Sequence, residues 1–349
     1  MHNIGIIRIA AVVLGTLFLA GCHKTDDRAS EQTSIRFEAG SLLFKDDAQT
    51  KTIASLKTGT AFAHEDKIAV YGYHSGNSEW VFDRQDVSHE YTSSVDRWTY
   101  SPGKQWEWQG ANDYYDFIAI YPFGQSCSKT ASASETKVVI PYSPSAPCDL
   151  MAAAVHRSGG ATNAVHFQFT HLLSAVKVIV EMDTDSKAFT LTSYRFRNLP
   201  RASGSVSISI NNGVASTPTW ENVSTLPGDQ FGQTGLSESL YYTDAEHQRV
   251  TFDGGYDLMI PQTFTSNSAV LVLNCTYIND QSQEVSLTPA PTIPLRTINI
   301  KDTSTPITQW EAGKVYVYEI KIRIGGGVVV TVSTTDWEDF NAQTPGLQI

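Results

Sequence analysis

The side chains that most often carry out catalysis are scattered along this sequence rather than grouped at the spacings that known reactions need. There is no GxxxxGK[ST] phosphate loop, no HExxH zinc motif and no GxSxG nucleophile motif. His166 and His171 are five residues apart, the wrong spacing for one face of a strand, and we interpret His171 as a structural corner residue. The acidic pair Asp183/Asp185 falls in a loop. We therefore predict that the protein is not an enzyme and uses no cofactor or metal.

One cysteine lies in a pattern with a chemistry of its own. Arg8 gives the N-terminus a positive charge, residues 9–20 form a short apolar run, and Leu19-Ala20-Gly21-Cys22 ends that run. The run has the length of a signal-peptide core and is too short to span a bilayer comfortably. Its last four residues look like a bacterial lipobox, so we predict a signal peptide over residues 1–21 and lipidation of Cys22. Residues 22–34 are polar and are predicted to form a flexible tether.

The other three cysteines are predicted to be structural. Cys127 and Cys148 lie 21 residues apart on either side of a Ser/Ala/Pro-rich stretch. In an oxidising compartment they could form a disulfide, which would add about 3 kcal/mol of stability. Cys275 lies in an apolar run and is predicted to be a buried thiol. Because no CxxC pair is present, the sequence does not indicate a zinc site.

Composition limits the classes of partner. Removal of residues 1–21 leaves 328 of the 349 residues and changes the formal charge from −11 to −12, because Arg8 is lost. An acidic chain without a basic cluster argues against a nucleic-acid partner. The length suits two domains or one large β-domain.

Aromatic residues are concentrated in one segment of 20 positions. They are Trp98, Tyr100, Trp106, Trp108, Tyr114, Tyr115 and Phe117. Flat aromatic faces could form a platform for sugar rings, or the same side chains could fill a hydrophobic core. The cluster runs directly into the apolar segment Phe117-Ile-Ala-Ile-Tyr, and this continuity favours the core.

The elements that would position these residues are predicted to be short strands. Runs rich in Val, Ile, Tyr, Phe and Thr are separated by Gly, Pro, Asn, Asp and Ser, and no sustained helical periodicity follows residue 22. In residues 175–181 Val176, Val178 and Val180 fall on one face, and residues 315–324 alternate in the same way. About fifteen such runs predict an all-β chain of two stacked antiparallel sandwiches. The predicted domains are residues 35–212 and 213–349, with Ser158-Gly-Gly160 as a competing boundary.

Several segments, in their order along the chain, resemble the fimbrillin family, the subunits of type V pili in Bacteroides-type bacteria. The segments are Ile35-Arg-Phe, residues 66–73, Trp106-Glu-Trp, residues 115–122, residues 149–153, residues 167–180, residues 258–262, residues 310–320 and residues 330–337. They cover nearly the whole mature chain, and residues 167–180 are the most characteristic.

The resemblance implies two tandem transthyretin-like β-sandwich domains in a pilus subunit that is exported as an outer-membrane lipoprotein precursor and mediates adhesion at the cell surface. In stalk subunits of the family a protease removes the first strand, and a strand of the neighbouring subunit fills the groove that remains. Here the first strand would be Ile35–Glu38, extending as far as Phe44, and the cut would follow Lys45 or Lys51.

The resemblance also implies particular partners. Other pilus subunits would bind through strand exchange, and the outer membrane would bind through the lipid anchor. A third partner would be a surface ligand on a host or bacterial cell. The candidate donor strand carries Val328, Val330 and Val332, although the same segment could be a plain internal edge strand. Stalk, tip and anchor roles all stay open. The alternative function is that of a monomeric glycan-binding lipoprotein of the cell surface, which would need the aromatic residues of 98–115 exposed in a row.

Overall fold

The structure is a computed structural model. It describes residues 34–41, 62–92, 95–100, 107–110, 112–144, 148–159, 163–182, 189–225, 231–240, 251–279, 281–323 and 327–336. Cys22, Lys45 and Lys51, which carry the predicted lipidation and cleavage, lie outside these residues.

The regular secondary structure of the described residues is almost entirely β-strand, which confirms the all-β prediction. The strands before residue 200 are β1 (Phe37–Ser41), β2 (Lys67–His74), β3 (Glu79–Thr92), β4 (Val95–Tyr100), β5 (Tyr114–Tyr121), β6 (Ser128–Ala131), β7 (Glu135–Tyr142), β8 (Met151–Ser158), β9 (Val165–His171), β10 (Ser174–Met182) and β11 (Phe189–Arg197). The later strands are β12 (Ser203–Asn211), β13 (Val214–Ala215), β14 (Thr219–Ser224), β15 (Phe231–Leu240), β16 (Thr251–Met259), β17 (Gln262–Thr263), β18 (Val270–Ile278), β19 (Glu284–Ser286), β20 (Thr292–Pro294), β21 (Asn299–Ile300), β22 (Gln309–Trp310), β23 (Lys314–Arg323) and β24 (Gly327–Asp336).

Helix is limited in the described residues to one 3-10 turn, Leu295–Thr297. Among the same residues no helix has the length and apolar character needed to cross a membrane.

The first sheet has seven strands in the order β1-β9-β8-β5-β2-β3-β4. The sheet is curled so that its two ends come together. The Tyr100 hydroxyl on β4 donates to the Ile35 carbonyl at 2.9 Å, and the Trp98 indole N–H donates to the Ala39 carbonyl at 3.3 Å. The concave face encloses a set of buried side chains rich in phenylalanine, which we call the inner core. Phe117 and Phe167 are fully buried members of it.

The convex face of this sheet is covered by a second sheet, in the order β13-β12-β7-β6 with β14 also paired to β12. In β5, Phe117 and Ala119 point into the inner core, whereas Ile118 and Ile120 pack against β7 and β12 residues such as Ile140. A strand buried on both faces needs apolar residues at every position, and this explains the uninterrupted run that begins at Phe117.

Two further sheets pack face to face in the second half of the chain. One has the order β16-β10-β23-β24-β21 and the other the order β15-β11-β18-β19, with β20 also paired to β18. Val176, Val178 and Val180 of β10 all point into the core between them, as their alternation predicts. The opposite face of β23 is also covered at its start, where Val315 and Val317 are buried with Ala175.

The sheets do not follow chain order. β10 and β11 pair with strands that lie beyond residue 231, whereas β12, β13 and β14 return to pair with each other and with β7. The division into domains at residues 212 and 213 stays a prediction, as does transthyretin-like topology. Hydrogen-bonded sheets connect segments on both sides of that position.

Candidate functional site

The first strand, β1, lies between β9 and β4 in the curled sheet, and we call the site that it fills the groove. β1 pairs in parallel with β9 along its whole length, with Phe37 opposite Val165 and Ala39 opposite Phe167. The Val165 amide also donates to the Arg36 carbonyl at 2.7 Å. All other pairs in this sheet are antiparallel, so β1 is attached in a different way from every other strand of the sheet.

Alternation along the strand decides which side chains enter the groove. Ile35 and Phe37 are 1% and 3% exposed, and Ala39 packs against the same inner core. Arg36 and Glu38 point to solvent. A period of two is what a strand with one buried face requires.

Phe37 occupies a pocket formed by aromatic rings. Its ring centroid lies 5.1 Å from that of Phe82, 5.6 Å from Phe167, 5.7 Å from Tyr100 and 5.8 Å from Phe117. Three of these pairs are edge-on or tilted and one is stacked, which are the arrangements that aromatic rings prefer.

The edge of β1 that faces β4 receives hydrogen bonds from side chains. Tyr100 and Trp98 supply the two donors already described, and they occupy the carbonyls of Ile35 and Ala39. The Trp98 indole is stacked on His89 at 4.7 Å, and His89 Nε2 lies 2.9 Å from Asp96 Oδ1. Because buried carbonyls need partners, these side chains satisfy an edge that forms no backbone ladder with β4.

Phe62 closes the other end of the same core. Its ring contacts Trp98 at 4.9 Å, Phe169 at 5.4 Å and Tyr121 at 5.5 Å, all nearly edge-on. Phe62 follows β1 in the chain by more than 20 residues, so the inner core is filled by two separate segments of the N-terminal region.

The aromatic cluster of residues 98–117 belongs to this core. Trp98, Tyr115 and Phe117 are buried, and Tyr100 and Trp108 pack on them from partly buried positions. The interpretation as core is therefore confirmed for these five residues. The partly buried Tyr114 is not part of this core and lies beside His156, and Trp106 lies outside the described residues. Among the described members of the cluster, the rings do not form the exposed row that a sugar platform needs.

The sequence model of the fimbrillin-like family matches residues 53–337. The chain belongs to the fimbrillin-like family. A crystal structure of a candidate cell adhesion protein from Bacteroides uniformis is similar over 87% of this chain and 99% of that chain, at 18% identity and a TM-score of 0.47. A fimbrial protein from Bacteroides ovatus is similar over 85% of this chain and 49% of that chain, at 14% identity and a TM-score of 0.31. No curated protein sequence matches the chain significantly.

The candidate donor strand of this fimbrillin-like chain is engaged within its own fold. β24 pairs antiparallel with β23 from Gly327 to Asp336. Val332 is fully buried, and Val328 and Val330 pack on the same core from partly buried positions. On its other side β24 has a short parallel pairing with β21 through Thr331 and Val332.

The cysteines of the fimbrillin-like chain occupy two kinds of place. Cys127 and Cys148 are free and partly buried; the Cys127 thiol donates to the Gln125 carbonyl at 3.6 Å, and the Gln125 amide donates to Cys148 Sγ at 3.5 Å. Burial raises the pKa of both thiols, and their pairing stays a prediction. Cys275 is a buried thiol as predicted, and burial raises its pKa to about 12.

His171 links the end of β9 to the segment that precedes β8. His171 Nδ1 lies 2.9 Å from Asp149 Oδ1 at the end of β9, in keeping with its interpretation as a corner residue. In the part of the chain that the structure describes, no three His, Cys, Asp or Glu side chains are grouped so that they could hold a metal ion.

Proposed function

We propose that this fimbrillin-like protein is a pilus subunit of the cell surface that joins its neighbour by strand exchange at the groove occupied by β1. The observation that supports this most is the attachment of β1: one parallel ladder to β9, side-chain hydrogen bonds from β4, and Phe37 in an aromatic pocket. We propose a structural and adhesive role and no catalytic one.

Loss of β1 would leave a groove that strongly favours a new strand. The β9 edge would lose its backbone partners, and unpaired strand edges readily accept another chain. The pockets of Ile35 and Phe37 would empty, and burying such a side chain is worth roughly 1.5–3 kcal/mol. A donor strand restores both contributions, which is the physical basis of β-augmentation.

Cleavage after Lys45 or Lys51 would separate the right part of the chain. Both lysines follow Ser41, the last residue of β1, and precede Phe62. Such a cut would free β1 while Phe62 keeps the other end of the inner core closed. The family match also begins after both lysines, at residue 53.

Lipidation of Cys22, as predicted, would anchor the protein in the outer membrane. Assembly would take place there, with other pilus subunits as partners. Substitution of Cys22 by serine would abolish lipid labelling of the exported chain and move it from the membrane fraction to the soluble fraction. A lipid-labelled Cys22→Ser chain would contradict the anchor.

The experiment that tests strand exchange uses residues 23–349 with a sequence-specific protease site in place of residues 45–51. A fluorescent peptide of residues 33–44 is added before and after cutting. The cut chain is expected to exchange its β1 for the peptide, and the uncut chain, in which β1 stays tethered, is expected not to. If the cut chain takes up no peptide at any denaturant concentration below the one that unfolds it, the proposal of strand exchange at this groove is wrong.

A further inference from the structure

We propose that the groove selects its occupant by a three-position pattern, and that this pattern excludes the C-terminal strand of a second copy of the chain. The pattern is a branched aliphatic residue, an aromatic residue and a small residue at alternate positions of a strand parallel to β9. This inference rests on the proposed function, because it names the partner of the same groove: a strand of a different subunit that carries the pattern.

The central position demands an aromatic ring. Four rings surround Phe37 at centroid distances of 5.1–5.8 Å, and they come from β3, β4, β5 and β9. Phe82, Phe117 and Phe167 are at most 1% exposed, so they are fixed by their own packing and cannot collapse into the space that a smaller side chain would leave.

The two flanking positions are fixed by the β4 edge. The Ile35 site is fully buried, and the carbonyl of that residue accepts from the Tyr100 hydroxyl. At the Ala39 site the carbonyl accepts from the Trp98 indole, which His89 and Phe62 hold between them. Ala39 packs on the inner core from a half-buried position, and because the indole is held from two sides it has little freedom to move aside for a larger side chain there.

β24 does not match this pattern in any register. Its residues, GVVVTVSTTD, include no aromatic side chain, and its inward positions carry Val328, Val330 and Val332. A valine at the central site would leave part of the four-ring pocket empty.

The residues after β24 do not match either. With Trp337 at the central site, Asp339 would fall at the half-buried site of Ala39, against the inner core. With Phe340 there, Glu338 would fall at the buried aliphatic position. Placing an unpaired carboxylate against an apolar core is unfavourable even where burial is partial, so neither register matches the pattern.

The test uses the cut chain of the strand-exchange experiment and peptides of residues 33–44, with affinities measured by competition against the fluorescent peptide. Phe37→Val and Ala39→Leu peptides are each expected to bind at least about tenfold more weakly than the native peptide. Glu38→Gln, which changes an outward position, is the matched control and is expected to bind within about twofold of the native peptide. A peptide of residues 327–340 is expected not to compete, and cut chain alone is expected to remain monomeric in size-exclusion chromatography.

The outcomes separate the selectivity from the function on which it rests. If the native, Phe37→Val and 327–340 peptides all bind within about twofold of each other, the groove accepts strands but does not select them, and this inference is wrong while the proposed function stands. Ladders of oligomers that the 327–340 peptide disperses would likewise overturn the inference. If the native peptide itself does not bind, both the inference and the strand-exchange function fall.

Discussion

Most of the apolar contact between β1 and the rest of the fold is made by the side chain of Phe37. It touches rings on four strands of the sheet, whereas the neighbouring Arg36 and Glu38 touch solvent. At the scale of the single residue, the stability of the uncut chain should therefore depend much more on position 37 than on the positions beside it.

We expect Phe37→Ala to lower the free energy of unfolding by about 3–5 kcal/mol, because it empties a pocket whose walls cannot collapse. Chemical denaturation of residues 23–349 measures this change. Glu38→Ala on the same strand is the control and should change stability by less than about 0.5 kcal/mol. Equal losses for the two variants would show that β1 is not held by this pocket.

Asp257 on β16 should make stability depend on pH. Burial raises the pKa of its carboxyl from 3.8 to about 6, against the opposing effect of hydrogen bonds from the Gly232 amide and the Tyr194 hydroxyl. Below pH 3.8 the group is protonated in both folded and unfolded chains, and above about 6 it is ionised in both. Between these values the unfolded chain releases its proton first, so this residue lowers stability as pH rises.

We expect Asp257→Asn to remove that pH dependence and to stabilise the chain at pH 7 by roughly 1–3 kcal/mol. Thermal or urea unfolding at pH 4.5, 6 and 7 measures the difference. Asp302→Asn, on an exposed turn, is the matched control. A stability difference between Asp257→Asn and the parent chain that does not change from pH 4.5 to pH 7 would contradict the assignment.

At the scale of the element, the edge of β1 toward β4 is held by hydroxyl and indole donors rather than by a ladder. Tyr100→Phe keeps the ring beside Phe37 and removes the donor to the Ile35 carbonyl. We expect this variant to lose about 1 kcal/mol of stability and to release β1 faster from the cut chain.

The control for that variant is Tyr114→Phe, which removes a similar hydroxyl bond to the Ala133 carbonyl, away from the groove. Peptide-exchange rates of the two cut variants give the comparison. If Tyr114→Phe accelerates release as much as Tyr100→Phe does, the β4 side chains do not retain β1.

The sequence pattern predicted a strand well where the burial of its two faces alone determines which residues it contains. The alternation in β10 and the unbroken apolar run of β5 both follow from which faces are covered, and Cys275 is buried as its apolar neighbours indicate. The partner with which a strand pairs could not be predicted in this way. Nothing within residues 35–41 shows that this strand lies parallel to β9 or that Trp98 and Tyr100 reach its carbonyls, because those contacts join residues about 60 or more apart.

At the scale of the whole molecule, the two halves of the chain are interleaved. β10 and β11 belong with strands beyond residue 231, and β12–β14 belong with β7. A chain divided at the predicted boundary would separate β10 from β16 and β23, and β11 from β15 and β18.

We therefore expect fragments 23–212 and 213–349 not to fold when they are produced separately, and to recover structure when they are refolded together. Circular dichroism and heteronuclear NMR spectra of each fragment and of the mixture test this. A dispersed spectrum and cooperative unfolding for fragment 213–349 alone would show that the C-terminal sheets do not need β10 and β11.

The interleaving also determines how the molecule would behave under tension. One pair of sheets is formed by β1–β9 with β12–β14, and the other by β10, β11 and the strands from β15 onward. We call them the N-terminal and C-terminal pairs, and the chain passes between them three times, after β9, after β11 and after β14. A pulling force applied between the β1 groove and the C-terminal sheets is therefore shared by three covalent connections, and no single linker can extend to relieve it. A filament of such subunits would resist flow without its subunits coming apart in stages, each one either holding its length or rupturing as a unit.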